Sequence, residues 1–215
     1  MTQFFNQMLR FVMVMSARYN IDESHSLGHS LTVMNYTNQI FENEKYIFPP
    51  LKKQEKVVYS AAVLHDMCDK KYVNEEEGKR NIDELLTNLR MPNVERQAVI
   101  DIIDTMSYSK VKQTGFPYHG EYQRAYHVVR EADLLAAYDF DRCMLYRLHQ
   151  QQHGDLEDAI EDSEKLFNKR VFKHKSDGLL TTRFANDQHD ILAMQASNQI
   201  QSWKKMLNTV KRMPK

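Results

Sequence analysis

Apolar residues recur at three- and four-residue spacing along almost the whole chain, and nowhere does a two-residue alternation persist. Side chains at that spacing share one helix face, so the pattern describes helices that each bury a stripe and rules out a sheet-based core. Only 6 Gly and 5 Pro interrupt 215 residues, which leaves few breaks and favours long helices. The periodicity predicts helices over 2–18, 24–43, 53–67, 78–90, 93–107, 121–150, 155–172 and 181–211. Pro49-Pro50 closes the loop after the second, and Met91-Pro92-Asn93 separates two others with Asn93 as N-cap. Thr114-Gly115-Phe116-Pro117-Tyr118-His119-Gly120 reads as a loop and Asp177-Gly178 as a turn. There is no repeat, low-complexity tract or domain-separating linker. The expectation is an all-α chain forming a single domain over 1–215, long enough to bury about 70% of its unfolded surface.

Charge narrows the partners. Lys+Arg 29 balances Asp+Glu 29 and the pI is ≈ 7.1, so no global field draws the chain to nucleic acid or membrane. Any phosphate recognition must be local. No apolar run approaches the ~18–20 residues of a membrane span. The stretch from Phe4-Phe5 to Val14-Met15 lacks a basic leader, and Gln7, Arg10 and Ser16 interrupt it at helical spacing, as in an amphipathic core helix. Cys68 and Cys143 are far apart and form no metal-type pair, which fits reduced thiols and a cytoplasmic protein.

Four dispersed residues carry the chemistry: His29, the adjacent His65-Asp66, and Asp133. Each lies in a helical stretch with apolar neighbours that turn it inward, and an unpartnered carboxylate in a stretch such as Ala132-Asp133-Leu134-Leu135 would be costly. Two imidazoles with two carboxylates suit one divalent cation such as Mn²⁺, Mg²⁺, Co²⁺, Ni²⁺ or Fe²⁺. A cation so held can activate water near neutral pH, which makes hydrolysis the first chemistry to expect. A second dipeptide, His189-Asp190, sits in the polar stretch Asn186-Asp187-Gln188 and reads as a solvated helix face.

The flanks extend the pattern. His25-Ser26-Leu27-Gly28-His29, then Ala61-Ala62-Val63-Leu64-His65-Asp66-Met67-Cys68-Asp69-Lys70-Lys71-Tyr72, then Ser107-Tyr108-Ser109-Lys110, then Glu131-Ala132-Asp133 follow one another in order. This succession resembles the HD-domain superfamily of metal-dependent phosphohydrolases, in particular its compact nucleotide-hydrolysing members, over roughly residues 22–205. The resemblance implies an HD-type helical bundle on which the 2–18 helix packs. It implies metal ligation by His29, His65, Asp66 and Asp133, a water-orienting or general-base role for Asp69, and a phosphate-facing charge on Lys70. His25, Ser107, Tyr108, Lys110 and Lys173 become candidate substrate contacts, with Lys169 and Arg170 beside the last. The substrate would be a nucleotide or similar small phosphate ester, with no nucleic acid or membrane partner; a homodimer stays open.

The chain departs from that family at Leu134 and Ala136, where an Arg and an Asp are usual, at Asp139 in place of a Gly, and at Thr32 in place of an Arg. These changes keep open a catalytically weak module that binds metal and nucleotide as a sensor. His119 and His127 are the candidates for a second metal, but one lies in a loop and the other on a different helix face from Asp133, so a single metal is expected. Phe116-Pro117-Tyr118 offers aromatic rings that would stack a base or close as a lid.

Overall fold

The structure, a computed structural model, describes residues 2–150 and 155–212. Among these the chain forms α1 (Thr2–Arg18), α2 (Leu27–Ile47), α3 (Glu55–Leu64), α4 (Glu75–Asn88), α5 (Asn93–Thr105), α6 (Tyr108–Thr114), α7 (Gln123–Ala136), α8 (Phe140–Gln150), α9 (Leu156–Lys169) and α10 (Arg183–Lys211), with short 3₁₀ turns and no strand. The all-α, single compact domain expected from the periodicity is what the chain adopts.

The hub is α3. Val57 through Leu64 are all buried, as a helix apolar around its full circumference requires. The small Ser60, Ala61 and Ala62 leave room for α1, α2, α5 and α7 to pack about it. α2 runs along α7, so residues in the first turn of α2 and the last turns of α7 come to face the end of α3. α4 closes over the turn after α3. A Cβ on Gly78 would stand 2.6 Å from Cys68 Cβ and 2.9 Å from the Met67 carbonyl, so only glycine permits that approach.

Several boundaries differ from the periodicity. The stretch expected to be one helix over 121–150 is broken at Ala137, Tyr138 and Asp139. Tyr138 is buried there, its hydroxyl 2.9 Å from the Val171 carbonyl and 2.5 Å from His189 Nδ1, while Asp139 Oδ1 accepts from the Arg142 amide at 3.0 Å and so caps α8. Ser107 does not end a helix but starts one, accepting from the Lys110 amide at the head of α6. Pro92, not Asn93, precedes α5. His189 is no solvated residue: its ring is buried against Tyr138, and only Asp190 of that pair faces solvent.

Two buried polar groups bind the elements together. Glu131 on α7 accepts from the amides and hydroxyls of both Thr181 and Thr182 at 2.6–3.0 Å, tying the head of α10 to the core. His174, fully buried between Tyr108 and Tyr138, has no hydrogen-bond partner on either ring nitrogen. Burial, seconded by the Arg170 charge, pushes its pKa down to about 3. Folded His174 therefore stays neutral where an unfolded histidine takes up a proton, below about pH 6.5. Stability from this residue is complete above that pH and declines as pH falls toward 3. Relative to His174→Leu, the wild type should lose about 2 kcal/mol more between pH 7 and pH 5, read from urea midpoints at the two pH values. Parallel losses in both proteins would count against it.

Candidate metal centre

Three helices meet at a cleft of ≈ 660 Å³. α2 brings His29, the turn closing α3 brings His65 and Asp66, and α7 brings Asp133. His29 Nε2 lies 3.1 Å from His65 Nε2, 3.3 Å from Asp133 Oδ1 and 3.5 Å from Asp66 Oδ2. His65 Nε2 lies 3.3 Å from Asp66 Oδ2 and 3.7 Å from Asp133 Oδ1. The donor atoms of His29, His65 and Asp133 are all within 4.8 Å of one another, a group that could hold a metal ion.

The electrostatics fit that use. His65 Nδ1 lies 2.9 Å from the Ala62 carbonyl and donates to it, which fixes the tautomer and leaves the Nε2 lone pair facing the cluster. Asp66 Oδ2 is buried without a hydrogen-bond partner, an orphaned acceptor aimed at both imidazoles. Burial alone would lower His65, but Asp66 and then Asp133 outweigh it and raise the imidazole to about 9. Burial would raise both carboxyls, yet the charge of His65 on Asp66 and the hydrogen bond of His29 on Asp133 hold them well below the usual carboxylate range. Two carboxylates thus face one imidazolium, and a divalent cation taking the place of the His65 proton would balance the charge at the His29, His65 and Asp133 group.

His25 stands beside this cluster on a separate network. The hydroxyls of Ser24 and Tyr72 both donate to the buried Asp22, and the Ser24 amide donates to it at 2.8 Å. Burial would raise the Asp22 carboxyl, but these hydrogen bonds from Ser24 and Tyr72 lower it. With both hydroxyl protons committed to Asp22, His25 Nδ1 is left to donate to Ser24 Oγ at 2.7 Å and Tyr72 Oη at 3.2 Å. Its Nε2 is then an available base on a residue that lines the cleft.

No family model matches the chain, and no curated protein does. Among solved structures it is similar to the crystal structure of a Lactobacillus plantarum protein determined as a structural-genomics target. The TM-score is 0.67 at 17% identity, covering 97% of this chain and 99% of that one. At that identity the likeness shows the fold alone.

The remaining candidates divide. Asp69, Lys70, Ser107, Tyr108 and Lys110 line the cleft together with the His/Asp cluster. The Asp69 carboxylate is engaged by Lys71, through its amide at 2.9 Å and its ammonium at 3.3 Å. Lys110 donates to the Asp104 carbonyl at 2.5 Å and its carboxylate at 3.1 Å, so it fastens the end of α5. Lys173 is exposed and does not line the cleft, whereas its neighbour Arg170 does. Phe116 packs on His127 and under the Arg130 guanidinium at 4.6 Å, and neither it nor Tyr118 lines the cleft. His119 bonds Thr105 and stacks on Tyr126, and His127 lies between Gln123 and Arg130. Neither joins the metal-ligating set.

Arg142 and Tyr146 on α8 line the cleft and were missed by the sequence reading. With α8 taken as a continuation of α7, nothing aimed them at the site. Asp22 and Tyr72 meet across 50 residues, a contact that no local pattern in the chain announces.

Proposed function

We propose that this chain is a metal-dependent phosphohydrolase of the HD type, acting on a nucleotide or similar small phosphate ester. The observation that carries the reading is the convergence of His29 Nε2, His65 Nε2, Asp133 Oδ1 and Asp66 Oδ2 in a cleft that also holds basic side chains. A divalent cation held by these four residues would polarise a phosphoryl oxygen and ease deprotonation of water.

The chain's own groups supply the rest. His25, with Nδ1 committed as a donor, offers Nε2 to accept a proton from the attacking water. Asp22, behind Ser24 and Tyr72, stabilises the imidazolium that then forms. Asp69 is poised to accept from the same water or to orient it, and Lys70, exposed at the rim, would offset charge that builds on phosphoryl oxygens. Leu134 closes one wall with an apolar surface. That wall favours a second reading, a module that retains metal and nucleotide without consuming either.

The two readings part on turnover. Nucleoside mono-, di- and triphosphates incubated with Mn²⁺, Mg²⁺, Co²⁺ or Ni²⁺ should release phosphate or pyrophosphate only with metal, and the released product names the bond cleaved. Tight metal and nucleotide binding with no release across the panel would select the sensor.

A further inference from the structure

Five basic side chains line the cleft: Lys70, Lys71, Lys110, Arg142 and Arg170. They are not equivalent. Lys71 is paired with Asp69 at 3.3 Å, and Lys110 with Asp104 at 3.1 Å and Glu75 at 3.6 Å. Lys70 is exposed, where water screens its charge. Arg142 and Arg170 are half-buried, and neither has a carboxylate partner among the described residues. Both are nevertheless held in place. Arg142 donates through Nη1 to the Ser24 carbonyl at 2.8 Å, and the Arg170 guanidinium carbon lies 4.0 Å from the centroid of the Tyr108 ring.

Holding two guanidinium groups this way has a cost. Arginine does not shed its proton in proteins, so neither can relieve the strain by going neutral. Each opposes the other: burial and the Arg142 charge both disfavour charged Arg170. The carboxylate that does favour it, Asp133, already faces His29 at 3.3 Å. A charge removed from water without a partner is destabilising by several kcal/mol in the general case. Here the fork-shaped donors are not folded back on the protein but fixed by a carbonyl and a tyrosine ring, with their remaining N–H groups free of protein acceptors among the described residues. That geometry matches the oxygens of a phosphoryl group.

We infer that Arg142 and Arg170 form an oxyanion subsite on the α8–α9 wall of the cleft, which takes a phosphoryl group of the bound ligand. The two arginines lie outside the His/Asp cluster but within its field, Arg170 in that of Asp133 and Arg142 acting on His29. The break at Ala137–Asp139 creates it: Asp139 caps α8 and thereby places Arg142 in the first turn, facing the cleft rather than continuing the stripe of α7.

The test is calorimetric titration of the full-length, metal-free protein in EDTA at low salt, with inorganic pyrophosphate and orthophosphate as probes. Arg142→Gln and Arg170→Gln should each weaken pyrophosphate by about tenfold or more, the size expected for hydrogen bonds to a charged group. Lys53→Gln, at an exposed lysine outside the cleft, should change it less than about twofold, as a screened surface charge does. The same dependence for orthophosphate assigns one phosphoryl group to the pair, and dependence for pyrophosphate alone assigns two linked ones. Should a Gln variant misfold by circular dichroism, Arg170→Lys keeps the charge, loses the fork and should fall between wild type and Gln. Because the titration is made in EDTA, its outcome is separate from that of the metal reading. Wild-type protein that binds neither probe, or Gln variants that bind as wild type does, would overturn the subsite whatever the turnover assays give.

Discussion

Asp66→Ala is expected to abolish metal-dependent turnover while the helical fold stands. Asp66 Oδ2 lies 3.5 Å and 3.3 Å from the two imidazole nitrogens, so its side chain answers to the cluster rather than to the packing of the helices. Its removal therefore leaves no new orphan in the fold, only an incomplete donor set. His29 and His65 remain with their Nε2 atoms 3.1 Å apart, and His65 loses the first of the two carboxylates that raise it. Losing a supporting contact to a metal ligand already costs about 10–100-fold in affinity, so losing a ligand should exceed the upper figure. Metal content after dialysis, far-UV circular dichroism and product release measured on one preparation decide the matter. Retained metal and undiminished release would refute the assignment of Asp66 as a metal ligand.

Glu131→Ala should be the most damaging single change to stability. Glu131 is fully buried, receives four hydrogen bonds from Thr181 and Thr182, and pairs with Arg130 at 3.1 Å. Arg130 is 1% exposed, and its Nε and Nη1 already lack partners. Alanine would strand that guanidinium and free the head of α10 together. Removing one partner of a buried ion pair costs about 3–5 kcal/mol, which in a chain of this size lowers Tm by roughly 10 °C. Glu131→Gln, which keeps the acceptor oxygen for Thr182 or Thr181 but not the charge, should lie between. A double change of Arg130→Met with Glu131→Ala should recover part of the loss, because no charge is then left stranded. A Tm within about 2 °C of wild type for Glu131→Ala would show that the pair is of no consequence.

Residues whose environment is local could be read before folding. Val57 to Leu64 is apolar on every side, so its burial and the inward delivery of His65 and Asp66 follow from the run itself. Asp133 announced itself as a carboxylate in an apolar helix. What stayed hidden depends on side chains meeting across the chain. His189 looks solvated beside Asp190 until Tyr138 arrives from 51 residues away. Lys173 and Arg170 carry the same charge in one short basic stretch, and only the turn after α9 decides which of them faces the cleft. The end of α7 shows the limit of periodicity: the apolar spacing runs on through Phe140 and Met144, but Asp139 and the buried hydroxyl of Tyr138 redirect the backbone.

That redirection also divides the interior. Buried residues of α1 to α7, with Leu179, Leu180 and Ala185, form one apolar cluster containing α3, whereas Tyr138, Phe140, Met144, Ile160, Phe167, Val171, Ala196 and Ile200 form another, and Leu192 on α10 packs against both. The His/Asp side of the cleft belongs to the first cluster and its arginine wall to the second. On that division, hydrogen exchange is expected to show α8, α9 and the distal half of α10 opening together at a free energy below that of global unfolding. Cargo lodged across the seam would act as a rivet between the two halves, so binding and rigidity rise together.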